Sequence, residues 1–255
     1  MAVAENFNSL LLNLKSGSLE VRLAENSLEI DAAQALRYKI FYEEMKAKAS
    51  YKQTKLKRDI DNFDHYFDHI LVFDNSLKGT LKDRVIGTYR LNRGTQKYKD
   101  NVFYTSNEYD ISQLINFKGN ILELGRSCVA KEYRTGTTMQ LLWSFISQYV
   151  VKYEIDIMFG CASFPGIEPL IHQKSFNYLY KNYLAPKNIR PKALEQRYIS
   201  MKKENTQMPS FRDFLSSIPP LIKGYIRLGA FVGDGAVIDH DFNTTDVCIV
   251  LPTKK

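Results

Sequence analysis

The chain has 255 residues, 44% hydrophobic, 13% aromatic and 25% charged, which supplies a globular core and excludes disordered and collagen-like polymers. At about 150 residues per domain this length favours one large domain over two. The net charge of +7 is concentrated: residues 46–58 hold six basic and no acidic side chains, residues 169–203 hold eight basic and one acidic, and the remainder carries −6.

Residues 1–18 lack periodicity and read as an N-terminal arm. It has neither the basic region nor the apolar stretch of a secretory signal. Residues 19–23 alternate like a strand. Asn26 with Glu29 fits a capping box, and Ala32, Leu36 and Ile40 recur at helical spacing, predicting a helix over 27–48. The basic continuation to residue 58 reads as a loop that ends in an acidic run containing Asp59, Asp61 and Asp64. Strands are predicted at 69–73, 84–91 and 120–130, with a helical segment near 110–116. From Thr138, the residues Leu141, Leu142, Phe145, Ile146 and Tyr149 define an amphipathic helix. A strand at 155–162 follows, then Pro165-Gly166 and a helix over 167–180. Residues 185–209, polar, basic and with three prolines, read as a surface connection or insertion. A helix at 221–228, a turn-rich stretch at 229–235 and a strand at 247–251 complete the order. A helix joining the 120–130 strand to the 155–162 strand predicts a parallel pair. The fold class is therefore α/β, a mixed central sheet flanked by helices in one domain over 19–255.

No window approaches 18 uninterrupted apolar residues, so no membrane span is expected and the protein is placed in the cytoplasm. The three cysteines, Cys128, Cys161 and Cys248, lie far apart in apolar runs without C-x-x-C spacing and read as reduced core residues. The two basic blocks would attract nucleic acid, anionic headgroups, phosphorylated cofactors or an acidic carrier protein, and charge alone does not choose among these. Nucleic acid is disfavoured as a partner because the aromatics fall at apolar periodic positions and no RNA-binding aromatic motif occurs.

The most informative passage is Glu123-Leu124-Gly125-Arg126-Ser127-Cys128-Val129, followed by Tyr133-Arg134-Thr135-Gly136-Thr137-Thr138 and a helix. Strand, small-residue loop and helix N-terminus offer unpaired N–H groups and a positive dipole end to an anion, with Arg134 as a bidentate partner. It is neither a nucleotide P-loop nor a dinucleotide fingerprint. Glu123 and Arg126 lie in an otherwise apolar strand, where unpaired charge costs several kcal/mol. They require partners or a task. Three residues apart they point to opposite faces unless Gly125 marks a bulge. That bulge is predicted, and it would turn backbone donors toward a substrate carbonyl. A mutual Glu123–Arg126 salt bridge is the alternative.

Arg37 and Phe41 are i,i+4 neighbours on the first helix. Arg37 is suited to a substrate carboxylate and Asp59, Asp61 or Asp64 to an ammonium group; equally, Arg37 pairs with one of those aspartates. The run lacks EF-hand spacing, so no metal is expected. Arg90, in an apolar strand, suits a substrate clamp or an internal ion pair. The four histidines form no H-E-x-x-H pattern, and no G-x-S-x-G elbow marks a serine hydrolase.

Together, Arg37-x-x-x-Phe41, Asp59-x-Asp61, Gly87-Thr88-Tyr89-Arg90-Leu91 and Glu123-Leu124-Gly125-Arg126 resemble the ordered signature of the acyl-homoserine-lactone synthase branch of the Gcn5-related N-acyltransferase (GNAT) fold. Three further stretches resemble bacterial L-ornithine Nα-acyltransferases: 37–45, Phe159-Gly160-Cys161-Ala162-Ser163-Phe164, and Gly233-Asp234-Gly235-Ala236-Val237-Ile238-Asp239 through Asn243-Thr244-Thr245-Asp246-Val247. No tryptophan follows the Arg-Phe motif before Trp143, which separates the chain from the lactone synthases. The cofactor loop is shorter and less glycine-rich than the fold's usual pattern.

The resemblance implies transfer of a (3-hydroxy)acyl group from acyl carrier protein to the α-amine of L-ornithine, giving lyso-ornithine lipid by direct aminolysis. The donor arrives on the carrier's phosphopantetheine, and no tightly bound cofactor is implied. Glu123 and Arg126 are then the candidate catalytic residues, with Arg37, Phe41, Asp59, Asp61, Asp64 and Arg90 as acceptor contacts. Gly125, Ser127, Cys128, Val129, Arg134, Gly136, Thr137 and Thr138 become donor contacts. A basic block would dock the carrier, and the amphiphilic product suggests peripheral contact with the inner face of the cytoplasmic membrane.

Overall fold

The computed structural model describes residues 13–94, 103–204 and 207–254. Residues 1–12, most of the predicted arm, lie outside the described residues. In chain order the elements are β1 (Asn13–Ser16), β2 (Leu19–Leu23), α1 (Ser27–Tyr38), a π-helical turn (Lys39–Glu44), α2 (Tyr51–Leu56), β3 (Asp68–Asp74), α3 (Leu81–Arg84), β4 (Val85–Asn92), β5 (Tyr109–Asp110), α4 (Ser112–Ile115), β6 (Asn120–Val129) and α5 (Gly136–Lys152). They continue with β7 (Ile155–Pro165), α6 (Gln173–Tyr183), β8 (Lys192–Ala193), α7 (Phe211–Ser217), α8 (Pro220–Arg227), β9 (Phe231–Asp239) and β10 (Thr244–Pro252). Two compact units are built from these: residues 1–93 with 124–155, and residues 94–123 with 156–255.

In the first unit the strand order is β1-β2-β3-β4-β6. β1, inside the stretch expected to be an unstructured arm, pairs antiparallel with β2 through a turn at Gly17, whose φ of 60° needs glycine. β2, β3 and β4 continue antiparallel. All eight residues of β4 are buried, Arg90 included. Strand alternation places the covering helices: His69 and Arg90 are cross-strand partners on the face that meets α1. The next residue, Asp68, points the other way and accepts a 2.5 Å hydrogen bond from Tyr149 of α5.

α1 begins as expected. The Asn26 side chain accepts from the Leu28 and Glu29 amides at 3.0 and 3.1 Å. Glu29 does not reach back to complete the box; it binds Arg22 at 2.5 and 2.8 Å and the Glu25 amide. The predicted α-helix to residue 48 changes at Lys39 into a π-helical turn that ends at Glu44. The basic stretch expected to be a loop contains α2, capped reciprocally by Ser50 and Gln53 and ended by Lys57 at φ 54°.

In the second unit the order is β7-β10-β9-β8-β5. β7, β10 and β9 are antiparallel neighbours, whereas β8 joins β9 in parallel and β5 antiparallel, so the sheet is mixed. One face buries Phe103, Tyr109, Leu114, Phe159, Val237 and Val250 together. An aromatic layer elsewhere in the unit contains Phe164, Phe176, Tyr178 and Phe214, with Tyr178 stacked on Phe214 at 4.2 Å.

Two expectations are corrected here. β9 occupies the stretch expected to be turn-rich, because its glycines serve close approach: a Cβ on Gly233 would meet the Pro191 carbonyl at 2.9 Å, and one on Gly235 the Tyr198 ring at 2.6 Å. Those neighbours belong to residues 185–209, which are no mere surface connection: Ala185, Ile189, Ala193 and Met201 are at most 6% exposed. Among the cysteines, Cys128 and Cys248 are buried, Cys161 is half-buried, and all are free thiols.

Candidate active site

The polar centre of the first unit is a buried lattice of three arginines and three aspartates. Arg37, carried by α1, is fully buried and binds Asp59 Oδ2 through Nε at 2.8 Å and Asp64 through Nη2 at 2.8 and 3.0 Å, with a further bond to the Asp59 carbonyl. Arg90 of β4, 1% exposed, binds Asp61 at 2.7 Å and Asp64 at 2.9 Å and lies over the Phe67 ring at 4.6 Å. Arg126 of β6 binds Asp59 at 3.2 Å and Asp61 at 3.4 Å. Three positive charges thus offset three negative ones, which makes burial tolerable.

Electrostatics follow from this crowding. Burial acts to raise the Asp64 carboxyl, but the Arg37 and Arg90 guanidiniums outweigh it and hold the group well below the usual carboxylate range. Asp59 is lowered against its own burial by Arg126 and Arg37. Burial, reinforced by Arg37, brings the His69 imidazole down to about 4, so His69 is neutral at pH 7; its Nε2 lies 2.8 Å from the Asp64 carbonyl. Tyr42, from the π-helical turn, donates to Asp59 at 2.9 Å.

Arg37 and Asp59 are fully buried, Arg90 is 1% exposed, and Phe41 is 8% exposed in the π-helical turn. Arg37 and Arg90 hold the acidic loop through Asp59, Asp61 and Asp64. The side chains of Asp64, Arg126 and Asp61, 10%, 12% and 18% exposed, are the lattice members that reach the surface. His69 and Tyr42 joined this lattice without any sequence signal, since each is specified only by its contacts.

β6 runs on to Val129, but Arg126 within it has a left-handed φ of 51°, a conformation unusual for a non-glycine residue. The irregularity predicted at Gly125 therefore falls one residue later, where the ion pairs to Asp59 and Asp61 hold the backbone. A Cβ added at Gly125 would meet nothing within 4 Å, so the strand faces open space there. Ser127 is half-buried and Cys128 and Val129 are buried. Burial pushes the Cys128 thiol up to about 12, which makes it no nucleophile at pH 7.

Beyond β6, Arg134 donates Nε to the Val129 carbonyl at 2.9 Å and grips Glu44 with both terminal nitrogens at 2.6 and 2.8 Å. This ties the α5 N-terminus to the end of the π-helical turn, immediately before the first basic block. Thr135 caps α5; Gly136 and Thr137 are exposed, whereas Thr138 is buried. A Cβ on Gly136 would also meet open space. Exposed amides at the start of a 17-residue helix suit an anionic group.

Glu123, 1% exposed, is described within the second unit. Its carboxylate accepts the Tyr104 amide at 3.0 Å and the Thr105 amide and hydroxyl at 2.6 Å each. The Thr105 hydroxyl in turn lies 3.9 Å from the Cys161 thiol.

A family model described as an acetyltransferase (GNAT) domain matches residues 36–144, the stretch from the end of α1 through the first half of α5, and the chain is an N-acyltransferase of that class. The L-ornithine N(alpha)-acyltransferase of Agrobacterium fabrum (strain C58) is 48% identical over 238 residues, covering 92% of this chain and 81% of that protein. That of Brucella abortus (strain 2308) is 44% identical over 254 residues, covering 99% and 90%. The chain belongs to the L-ornithine Nα-acyltransferase family. The crystal structure of the acyl-homoserine-lactone synthase LasI overlaps 91% of this chain and 89% of that one, at 12% identity and a TM-score of 0.48.

Proposed function

We propose that this chain transfers a (3-hydroxy)acyl group from acyl carrier protein to the α-amine of L-ornithine, forming lyso-ornithine lipid. The observation that carries the reading is the left-handed backbone of Arg126 in β6 beside the open space at Gly125, in a chain 48% identical to a curated L-ornithine N(alpha)-acyltransferase. The unprotonated amine attacks the thioester carbonyl carbon, the C–S bond breaks, and the carrier leaves as its thiol. Backbone donors near Gly125 stabilise the developing oxyanion. Glu123 accepts the amine proton, through a water or the Thr105 hydroxyl. Arg126 and Asp61 serve as acceptor contacts at the open edge of the lattice, as carboxylate and ammonium partners respectively. Gly125 to Val129 and Arg134 to Thr138 line the pantetheine path.

The basic block at 46–58 is the better docking surface for an acidic carrier, because the Arg134–Glu44 pair connects the donor loop to the residues just before it. No helix among the described residues is long and apolar enough to cross a membrane. Leu170 and Ile171, 70% and 72% exposed in the second basic block, support peripheral contact with an anionic bilayer. The test is incubation of the purified chain with 3-hydroxyacyl carrier protein and a panel of amines, followed by mass spectrometry. Nα-acylornithine as the dominant product supports the reading; preferential acylation of another amine, or no product from carrier-bound donor, overturns it.

A further inference from the structure

Within the second unit, three carboxylates from distant parts of the chain converge: Glu108, Asp239 at the end of β9, and Asp246 in β10. They are 1%, 7% and 5% exposed, and each presents an oxygen within 4.8 Å of the others. Asp239 Oδ1 accepts the Asp241 and Phe242 amides at 2.9 and 3.0 Å. Arg197, the cation that acts on Glu108, donates its terminal nitrogens to the Asn107 and Ile238 carbonyls.

An independent observation points to a ligand. Thr244 stands directly opposite Asp239 in the β9–β10 register and two residues from Asp246, so the three side chains share one face of the hairpin. Thr244 is 4% exposed, and its hydroxyl has no hydrogen-bond partner. Glu108 Oε2 receives no hydrogen bond either. A buried hydroxyl and a buried carboxylate oxygen left unsatisfied beside two more carboxylates carry a substantial desolvation cost.

The donor set consists only of oxygen, which hard divalent cations prefer. The three carboxylate oxygens all lie within 4.8 Å of one another, close enough for a single ion to reach them at about 2.4 Å. We propose that Glu108, Asp239, Asp246 and Thr244 form a binding site for a hard divalent cation that fastens the 104–110 segment to the β9–β10 hairpin. The same segment is held by Glu123 through Tyr104 and Thr105, so the cation would secure the loop on which Glu123 rests.

The experiment uses the full chain, stripped with chelator and dialysed against calcium, magnesium or manganese separately, with bound metal measured by mass spectrometry and thermal melts run in parallel. One saturable equivalent of at least one of these ions is expected, with a melting temperature that rises with its concentration. Glu108→Gln and Asp246→Asn should each weaken binding at least tenfold. Because either change relieves repulsion among the carboxylates, the metal-free variants should melt no lower than the metal-free wild type, which separates lost binding from misfolding. Absence of saturable binding by all three ions up to millimolar concentration, or undiminished binding in both variants, overturns the proposal and leaves a proton-sharing carboxyl cluster.

Discussion

Replacing Arg37 by methionine tests whether the buried lattice acts through folding or through substrate contact. The side chain is fully buried and pairs at 2.8 Å with both Asp59 and Asp64, so its loss leaves three aspartates against two arginines in a dry site. Breaking a buried pair from one side costs about 3–5 kcal/mol, which for a chain of this size lowers the melting temperature by roughly 6–20 °C at about 2–4 °C per kcal/mol. The double variant Arg37→Met/Asp64→Asn restores the charge balance and should recover about 1–3 kcal/mol, the coupling typical of groups in one network. Thermal melts and urea titrations, followed by circular dichroism and by Trp143 fluorescence, measure both. At a temperature where Arg37→Met remains folded, its KM for ornithine should stay within about threefold of wild type. A melting temperature within about 2 °C of wild type, or a large rise in KM without loss of stability, would refute the lattice argument and return Arg37 to the acceptor site.

The lattice also dictates an acid response. His69, held at about 4 when folded against about 6.5 when unfolded, binds its proton more readily in the unfolded chain, so stability rises with pH between these values and is lost on acidification, by about 3 kcal/mol. Asp59 and Asp64, depressed in the folded state, stabilise the fold above the unfolded aspartate range and withdraw that contribution at lower pH. Urea midpoints of wild type and His69→Gln from pH 4 to 7 should show a flatter dependence in the variant; parallel curves contradict the assignment. Gly125→Ala should keep the wild-type melting temperature within about 2 °C, since its methyl enters open space, yet reduce kcat/KM for the carrier-bound donor at least tenfold; an unaffected rate removes Gly125 from the donor path. Arg134→Ala breaks an exposed pair worth at most about 1 kcal/mol, so it should alter stability little while raising KM for the carrier-bound donor. The same KM should climb with ionic strength in wild type, and a salt-independent KM would argue against docking on the basic block.

Much of the fold is legible from local pattern. The periodicities place β3, β4 and β6 and the starts of α1 and α5 within a residue or two of where they are observed, because side-chain direction repeats every 3.6 or 2 residues wherever one face is buried. α2 carries Ser50 and Gln53 at capping-box spacing, but the six basic residues of 46–58 give the stretch the composition of a loop. β9 was not: Gly233 and Gly235 carry the local signature of a turn, and their packing against Pro191 and Tyr198 is set by chain about 40 residues away.

The candidate site divides along the same line. Residue type and spacing alone marked Arg37, Arg90, Arg126 and the aspartates as charges that must find partners, and placed an irregularity in the strand around Gly125, because an unpaired charge or a glycine in an apolar strand is costly whatever surrounds it. Tertiary contact decided the rest: that Arg37 and Arg90 are buried while Asp64, Arg126 and Asp61 reach the surface, that Glu44 meets Arg134, and that Glu108, Asp239 and Asp246 converge. Ion pairing depends on distance in space, and distances between residues remote in the chain arise only when the sheets and helices pack.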